Sequence, residues 1–187
     1  MYGKPLTVGS TKAKVSISLT EPSDANLPLL VDWLNDPEVM HLLNPSWQPT
    51  TLEKERGQLE RFKMQKDQIM WHIEADGTCI GAAWINEIKA SEGSGYFGIM
   101  IGDKSKWGQG IATLVKRAVT NWALTEGGFN SLHVDICHGN EASKRTSEKV
   151  GYELIPAQID WDGKTYEGLH GVMTKERWLI VKSSLLP

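Results

Sequence analysis

KWGQGIA, Lys106 to Ala112, sets two glycines around a glutamine just ahead of an apolar run with helical spacing. Glycine costs a helix interior about 1 kcal/mol relative to alanine, so its place at a helix start needs a reason. Either the backbone takes a positive φ, or a partner comes so close to the main chain that side chains are in the way. Upstream, YFGIMIG (Tyr96–Gly102) alternates as a strand. Downstream, Ile111–Glu126 carries Leu114, Val115, Ala118 and Trp122 on one helical face and stops at Gly127-Gly128, a C-cap signature. SLHVDIC (Ser131–Cys137) then reads as a strand with Leu132, Val134 and Ile136 on one side. Strand, glycine loop, helix and strand form a βαβ crossover, which makes Phe97–Ile101 and Leu132–Cys137 parallel neighbours. The loop presents unpaired N–H groups and the positive end of a helix dipole, the physical recipe for binding a phosphate. The Walker Gly-Lys-Ser/Thr pattern is absent, and a dinucleotide GxGxxG fails because Thr113 stands at the third glycine.

The remaining elements arrange themselves around this crossover. The first ten residues read as loose, and KVSISL (Lys14–Leu19) as a strand. Ser23 or Asp24 caps a helix with Leu27, Leu30, Val31 and Leu34 on its apolar face. Pro37 stops that helix, Glu38–Leu43 forms a short second one, and Thr50 or Thr51 caps a third over Leu52–Lys66. Ile69–Ala75 and Cys79–Ile88 make a hairpin about Asp76-Gly77. After the crossover come a helix beginning near Asn140 and closed by Gly151, a hairpin about Asp162-Gly163, and a final helix. The expected class is α+β, with a mixed and mainly antiparallel sheet flanked by helices, in one domain spanning 1–187.

Composition narrows the function classes. The net charge of −3 supplies no basic field for nucleic acid or anionic membrane. The N-terminus lacks an apolar signal core, and no run approaches the roughly 20 apolar residues of a membrane span. Cys79 and Cys137 have neither metal-ligand spacing nor the numbers for a disulfide framework. The expectation is therefore a cytoplasmic protein without a metal, monomer or homodimer. The eight tryptophans are scattered and read mainly as packing residues.

Trp107-Gly108-Gln109-Gly110-Ile111-Ala112 resembles the pyrophosphate loop of the acetyl-CoA-dependent GNAT N-acetyltransferases, Q/R-x-x-G-x-G/A, with Gly110 and Ala112 in the small positions and Trp107 in place of Gln or Arg. Asn140-Glu141-Ala142-Ser143, followed in register by Glu148-Lys149-Val150-Gly151-Tyr152, resembles the Rim-type branch, the ribosomal-protein N-terminal acetyltransferases and their relatives. The element order matches from about Val15 to Trp178. The resemblance implies the GNAT fold, whose crossover strands begin paired and splay apart beside a bulge; Gly98 suits such a bulge. It implies acetyl-CoA as cosubstrate, its pantetheine against Ile99, Met100 and Ile101, its pyrophosphate on Trp107 to Ala112, and Asn140 and Ser143 facing the bound cofactor.

The implied reaction is attack of a neutral amine on the thioester, which needs a base, oxyanion stabilisation and a proton for the thiolate. The resemblance puts the acid at Ser143, or at Ser147 where many relatives carry a tyrosine. A serine confined to capping is the plainer alternative. The branch often carries a glutamate base where this chain has Tyr96. Asp135 and His133 share a strand face, Glu87 ends the middle strand, and each is a candidate; Asp135 is the preferred one. The acceptor groove falls between HLLNPSWQPT and IDWDGKTYEG, where Trp47, Trp161 and Tyr166 are candidate walls and Asp160, Asp162 and Glu167 candidate partners for a cationic amine. His170 reads as a satisfied strand histidine. The acceptor is a protein or peptide N-terminus or a small amine such as an amino-acid derivative, polyamine or aminoglycoside. A non-catalytic acyl-CoA-binding module is the rival reading.

Overall fold

The computed structural model describes residues 1–185 apart from 13, 42 and 162. Eight strands form one sheet: β1 (Leu6–Ser10), β2 (Ser16–Thr20), β3 (Ile69–Ala75), β4 (Thr78–Lys89), β5 (Ser94–Ile101), β6 (Ser131–Cys137), β7 (Glu153–Trp161) and β8 (Lys164–Thr174). Their spatial order is β1-β2-β3-β4-β5-β6-β8-β7, and every neighbouring pair is antiparallel except β5 and β6. The helices are α1 (Leu27–Leu34), α2 (Pro37–Met40), α3 (Leu52–Met64), α4 (Ile111–Thr125), α5 (Glu141–Val150) and α6 (Lys175–Leu185).

Local chemistry accounts for most boundaries. The Ser23 side chain accepts from the Ala25 amide and opens a 3₁₀ turn that runs into α1. Asp36 and Thr51 cap α2 and α3 in the same way. Asp76 and Gly77 both take positive φ, 49° and 79°, the signature of the tight turn that matches strand twist. Gly151 closes α5 at φ 93°.

The main apolar cluster joins Trp71, Ile73 and Ile85 of the sheet to Ile111, Val115, Val119 and Ala123 of α4 and to Trp178 of α6. A second cluster seats Leu27, Leu30 and Leu59 of α1 and α3 against Met70 and Ala82, on the other side of β3 and β4.

Three expectations need correction. The first ten residues are not loose: Leu6–Ser10 pairs with β2, and Leu6 and Val8 pack on the main core. Phe97–Ile101 does not pair with Leu132–Cys137: the parallel register covers only Ser94–Tyr96 against Ser131–His133, and beyond it the strands part, as the resemblance implies. The bulge lies on β4 between Asn86 and Lys89, with Glu87 at φ 50°, and not at Gly98. Gly98 is glycine because the Trp84 indole occupies its side-chain space: a Cβ there would fall 2.2 Å from Trp84 Cε2.

Candidate active site

Both loop glycines answer the opening question. Gly108 and Gly110 have φ of 74° and 81°, and nothing lies within 4 Å of the place a Cβ would take at either. The turn demands positive φ, and the space above the loop is open. Gly110 is the N-cap of α4 and brings no side-chain acceptor. Among the described residues, no hydrogen bond takes up the amides from Gly108 to Ala112. Gln109 Nε2 donates to the Ser105 carbonyl at 2.9 Å, and Trp107 Nε1 donates to the Ile101 carbonyl at 2.7 Å. Trp107 thus ties the loop to the end of β5.

The Gly102 amide donates to Ile80 of β4. By the two-residue alternation of a strand, the main-chain groups of Ile99 and Ile101 lie on the opposite edge, toward the gap between β5 and β6. Met100 points its side chain into a third apolar cluster with Val39 and Met40. Across the gap, Asn140 Oδ1 caps α5 through the Ser143 amide at 2.9 Å.

A cavity of about 690 Å³ runs through this gap. On the α5 side its wall includes Lys116, Asn140 and Ser143; on the α1–α3 side it includes Leu30, Gln58 and Phe62. Four carboxylates line it: Glu55, Glu87, Asp135 and Asp160. The size falls in the range of small-molecule sites. The open amides, the free β5 edge and this passage fit an acyl-CoA, which would bring the thioester to the gap.

Asp135 and His170 face each other across β6 and β8, and Asp135 Oδ1 lies 2.7 Å from His170 Nδ1. His170 Nε2 lies 3.3 Å from His133 Nδ1, and His133 Nε2 lies 3.0 Å from Ser131 Oγ. Tyr96 covers both imidazoles, with ring centroids 5.3 Å from His133 and 6.1 Å from His170. Burial, with Asp135 and Glu87 nearby, pushes the Tyr96 phenol up. Burial and the neighbouring His170 hold the His133 imidazole below its ordinary value. His170, read from sequence as a satisfied strand residue, is thus the immediate partner of the preferred base.

Behind the gap, Lys116 is 1% exposed, and its ammonium donates to Ser147 Oγ at 2.6 Å. Ser147 Oγ in turn donates to the Ser143 carbonyl. The Lys116 Nζ sits 5.7 Å from the ring centroids of both Phe97 and Tyr152. Burial lowers its pKa to about 7. No sequence reading singled out Lys116. A signal exists: Lys116 and Thr120, one turn apart, both fall on buried positions of α4.

The structure separates the acceptor-side candidates. Trp161 and Asp160 line the cavity. Trp47 packs beside Val39 and Met40, and its Nε1 donates to the Leu34 carbonyl at 2.5 Å. Tyr166 OH pairs with Ser46 Oγ at 2.9 Å, and Ser46 Oγ donates to the Trp161 carbonyl. Ser46 therefore latches the loop before α3 onto the β7–β8 hairpin. Glu167 lines a shallow groove elsewhere, and Asp162 lies outside the described residues.

The family model described as an acetyltransferase (GNAT) domain matches residues 16–153. The chain belongs to the GNAT acetyltransferase family. Solved structures agree in fold. RimL, described as a ribosomal L7/L12 α-N-protein acetyltransferase in complex with coenzyme A, is 16% identical with a TM-score of 0.77; 93% of this chain and 99% of that chain are covered. The Salmonella typhimurium acetyltransferase that modifies the N-terminal serine of L7/L12 is 17% identical, TM-score 0.75, covering 91% and 99%. A Vibrio cholerae spermidine N-acetyltransferase, solved with CoA and spermine, is 14% identical, TM-score 0.74, covering 87% and 98%. No match is found among curated proteins by sequence. Within this GNAT domain, no described helix is long and apolar enough to cross a membrane.

Proposed function

We propose that this GNAT domain, acting as one unit over 1–187, transfers the acetyl group of acetyl-CoA directly to a primary amine, in the manner of the Rim-type branch that its sequence resembles. The observation that carries the reading is the passage through the split sheet. It runs beside the β5 edge at Ile99 and Met100 into a carboxylate-lined chamber, and the open loop amides lie at the start of α4, outside its lining. The pyrophosphate is held by the amides of Gly108 to Ala112, with Trp107 and Gln109 fixing the loop. The pantetheine pairs with the β5 edge from Ile99 to Ile101, and Asn140 and Ser143 meet it from α5.

The acceptor enters from the α1–α3 side. Glu55, Glu87, Asp135 and Asp160 favour a cationic amine, whether a peptide N-terminus or a small amine of the polyamine, aminoglycoside or amino-acid class. Trp161 walls the chamber, and the Ser46–Tyr166 latch holds the loop before α3, which carries Trp47. Asp135, backed by His170, takes the proton that the ammonium must lose before it attacks. That pair supplies the base which Tyr96 withholds, and it argues against a non-catalytic acyl-CoA-binding module. Ser143 contributes a hydroxyl at the cavity wall, close to the thioester. The two free, buried cysteines suit a reducing compartment, consistent with a cytoplasmic enzyme, monomer or homodimer.

The test is thiol release from acetyl-CoA in the presence of spermidine and, separately, of a short peptide with a free N-terminus, with acetylated product confirmed by mass. Thiol release matched by acetylated amine supports the reading. Thermal stabilisation by CoA without any turnover across an amine panel supports the binding-module alternative instead.

A further inference from the structure

Lys116 is a buried cation that nothing in the acyl-transfer scheme above employs. It projects from α4 to the back of the gap between β5 and β6, 1% exposed, and its only hydrogen-bond partner among the described residues is the Ser147 hydroxyl. Among the described residues, no carboxylate lies within ion-pair distance of it. A lysine in such a place is costly unless the charge has work to do. Phe97 of β5 and Tyr152 present their ring faces to it, and Phe97, Val134 and Lys116 itself all line the cavity at the gap. Ser147 does not line the cavity, whereas Ser143, to whose carbonyl it donates, does. The position where many relatives present a tyrosine hydroxyl is therefore filled here by a buried serine that holds the ammonium of a lysine whose side chain lines the cavity.

We propose, resting on the acetyl-transfer reading, that Lys116 stabilises and protonates the departing coenzyme A thiolate, held in position by Ser147. The step balances simply. The neutral amine nitrogen forms a bond to the thioester carbonyl carbon, and the C–S bond breaks with its electron pair on sulfur. One proton passes from Lys116 Nζ to that sulfur, and the base, having released to water the proton it took from the ammonium, takes the one that the acceptor nitrogen loses after the bond forms. Lys116 leaves the turnover as a neutral amine and regains its proton from water on product release. An ammonium in a water-poor site is a stronger acid than a serine hydroxyl, and burial has already moved Lys116 toward neutrality, where donation at physiological pH is efficient. The titratable groups sharing the cavity are Glu55 on α3, Glu87 on β4, Tyr96 on β5, Asp135 on β6 and Asp160 on β7; the Tyr152 phenol also faces Lys116 and is pushed up by burial.

The probe is coenzyme A itself, whose thiolate is followed by its ultraviolet absorbance as pH is raised on the bound complex. With its fixed charge, Lys116→Arg should ionise the bound thiol at least one pH unit below its value in Lys116→Met, a tenfold difference in acidity; the wild-type lysine, which itself loses its proton near pH 7, should show as a kcat that falls as pH rises through that value, a limb missing from Lys116→Met. Lys116→Arg keeps the charge but cannot give up a proton and become neutral near pH 7; steady-state acetylation of spermidine, or of the peptide if that is the acceptor, should therefore fall about 100-fold. Melting curves and calorimetric CoA affinity confirm that both variants fold and bind. Equal thiol ionisation in Lys116→Arg and Lys116→Met overturns the proposal. So does a Lys116→Met kcat within about threefold of wild type, or a Lys116→Met that loses CoA affinity but keeps kcat at saturation. A wild type that turns over no amine would fail the acetyl-transfer reading, whatever the thiol titration shows.

Discussion

The Asp135 carboxylate accepts a 2.7 Å hydrogen bond from His170 Nδ1 across the β6–β8 register, on the wall of the cavity that threads the split sheet. The strands place the two residues directly opposite each other, so the contact is built into the pairing and does not depend on a loop. A carboxylate fixed in this way keeps one oxygen committed to imidazole and the other available to an incoming ammonium. Asp135→Asn should lower kcat by about 10²–10⁴-fold, with CoA affinity unchanged. His170→Gln should lower it less, because the carboxylate remains. Steady-state kinetics beside calorimetry checks both, and a full kcat in Asp135→Asn would remove Asp135 from the mechanism.

The loop glycines make a prediction with its own control. Gly110→Ala forces an alanine into the left-handed region at φ 81°, a strain of roughly 1–2 kcal/mol, yet leaves the space above the amides uncharged. Gly110→Asp adds the same strain and sets a carboxylate where a pyrophosphate belongs. Calorimetry with CoA should show a modest loss for alanine and on the order of a further 100-fold loss for aspartate. Equal affinities for the two variants would mean that the loop does not hold the phosphates.

Lys116 leaves a signature in stability as well as in chemistry. Its folded pKa is lowered to about 7 from an ordinary value of 10.5. Between those two values the unfolded chain binds more protons than the folded one, so the lysine's contribution to stability rises with pH across that window. Below it, both states are charged and the full cost of burial remains. Lys116→Met should therefore raise Tm most near pH 6–7, with the advantage over wild type shrinking as pH approaches 10. Melts of both proteins across that range test it; a Tm difference independent of pH would mean that the lysine is not buried as a charge.

Gly98 carries a packing prediction. Trp84 fills the space where a side chain would begin, so Gly98→Ala should destabilise by about 1–3 kcal/mol. Trp84→Leu in the same chain should recover part of the loss. Thermal or denaturant melts give the answer, and an unchanged Tm for Gly98→Ala would mean that the indole moves freely.

Where sequence patterns are local, they are readable; where they depend on what a distant segment brings, they are not. KWGQGIA showed its phosphate loop because glycine conformation and a helix start are local matters. Asp135 is legible as a polar residue that shares a strand face with His133, opposite Leu132, Val134 and Ile136. Its partner His170 is not, because register between β6 and β8 cannot be read from either strand alone. The bulge was assigned to Gly98 by residue type, yet the irregularity rests on Glu87, a non-glycine at positive φ that nothing in its sequence marks. Strand β1 is not legible in the sequence because LTVGS is short, half polar and carries Gly9. Lys116 looked like an ordinary surface lysine among valines, and only the arrival of α5 with Ser147 makes it a buried one.

The most direct measurement is acetyl-CoA turnover by the purified protein against spermidine and a peptide with a free N-terminus, following thiol release and acetylated product together. The account predicts stoichiometric thiol and acetyl-amine, saturable in both substrates and lost in Gly110→Asp. The absence of both thiol release and any thermal stabilisation by CoA would contradict it.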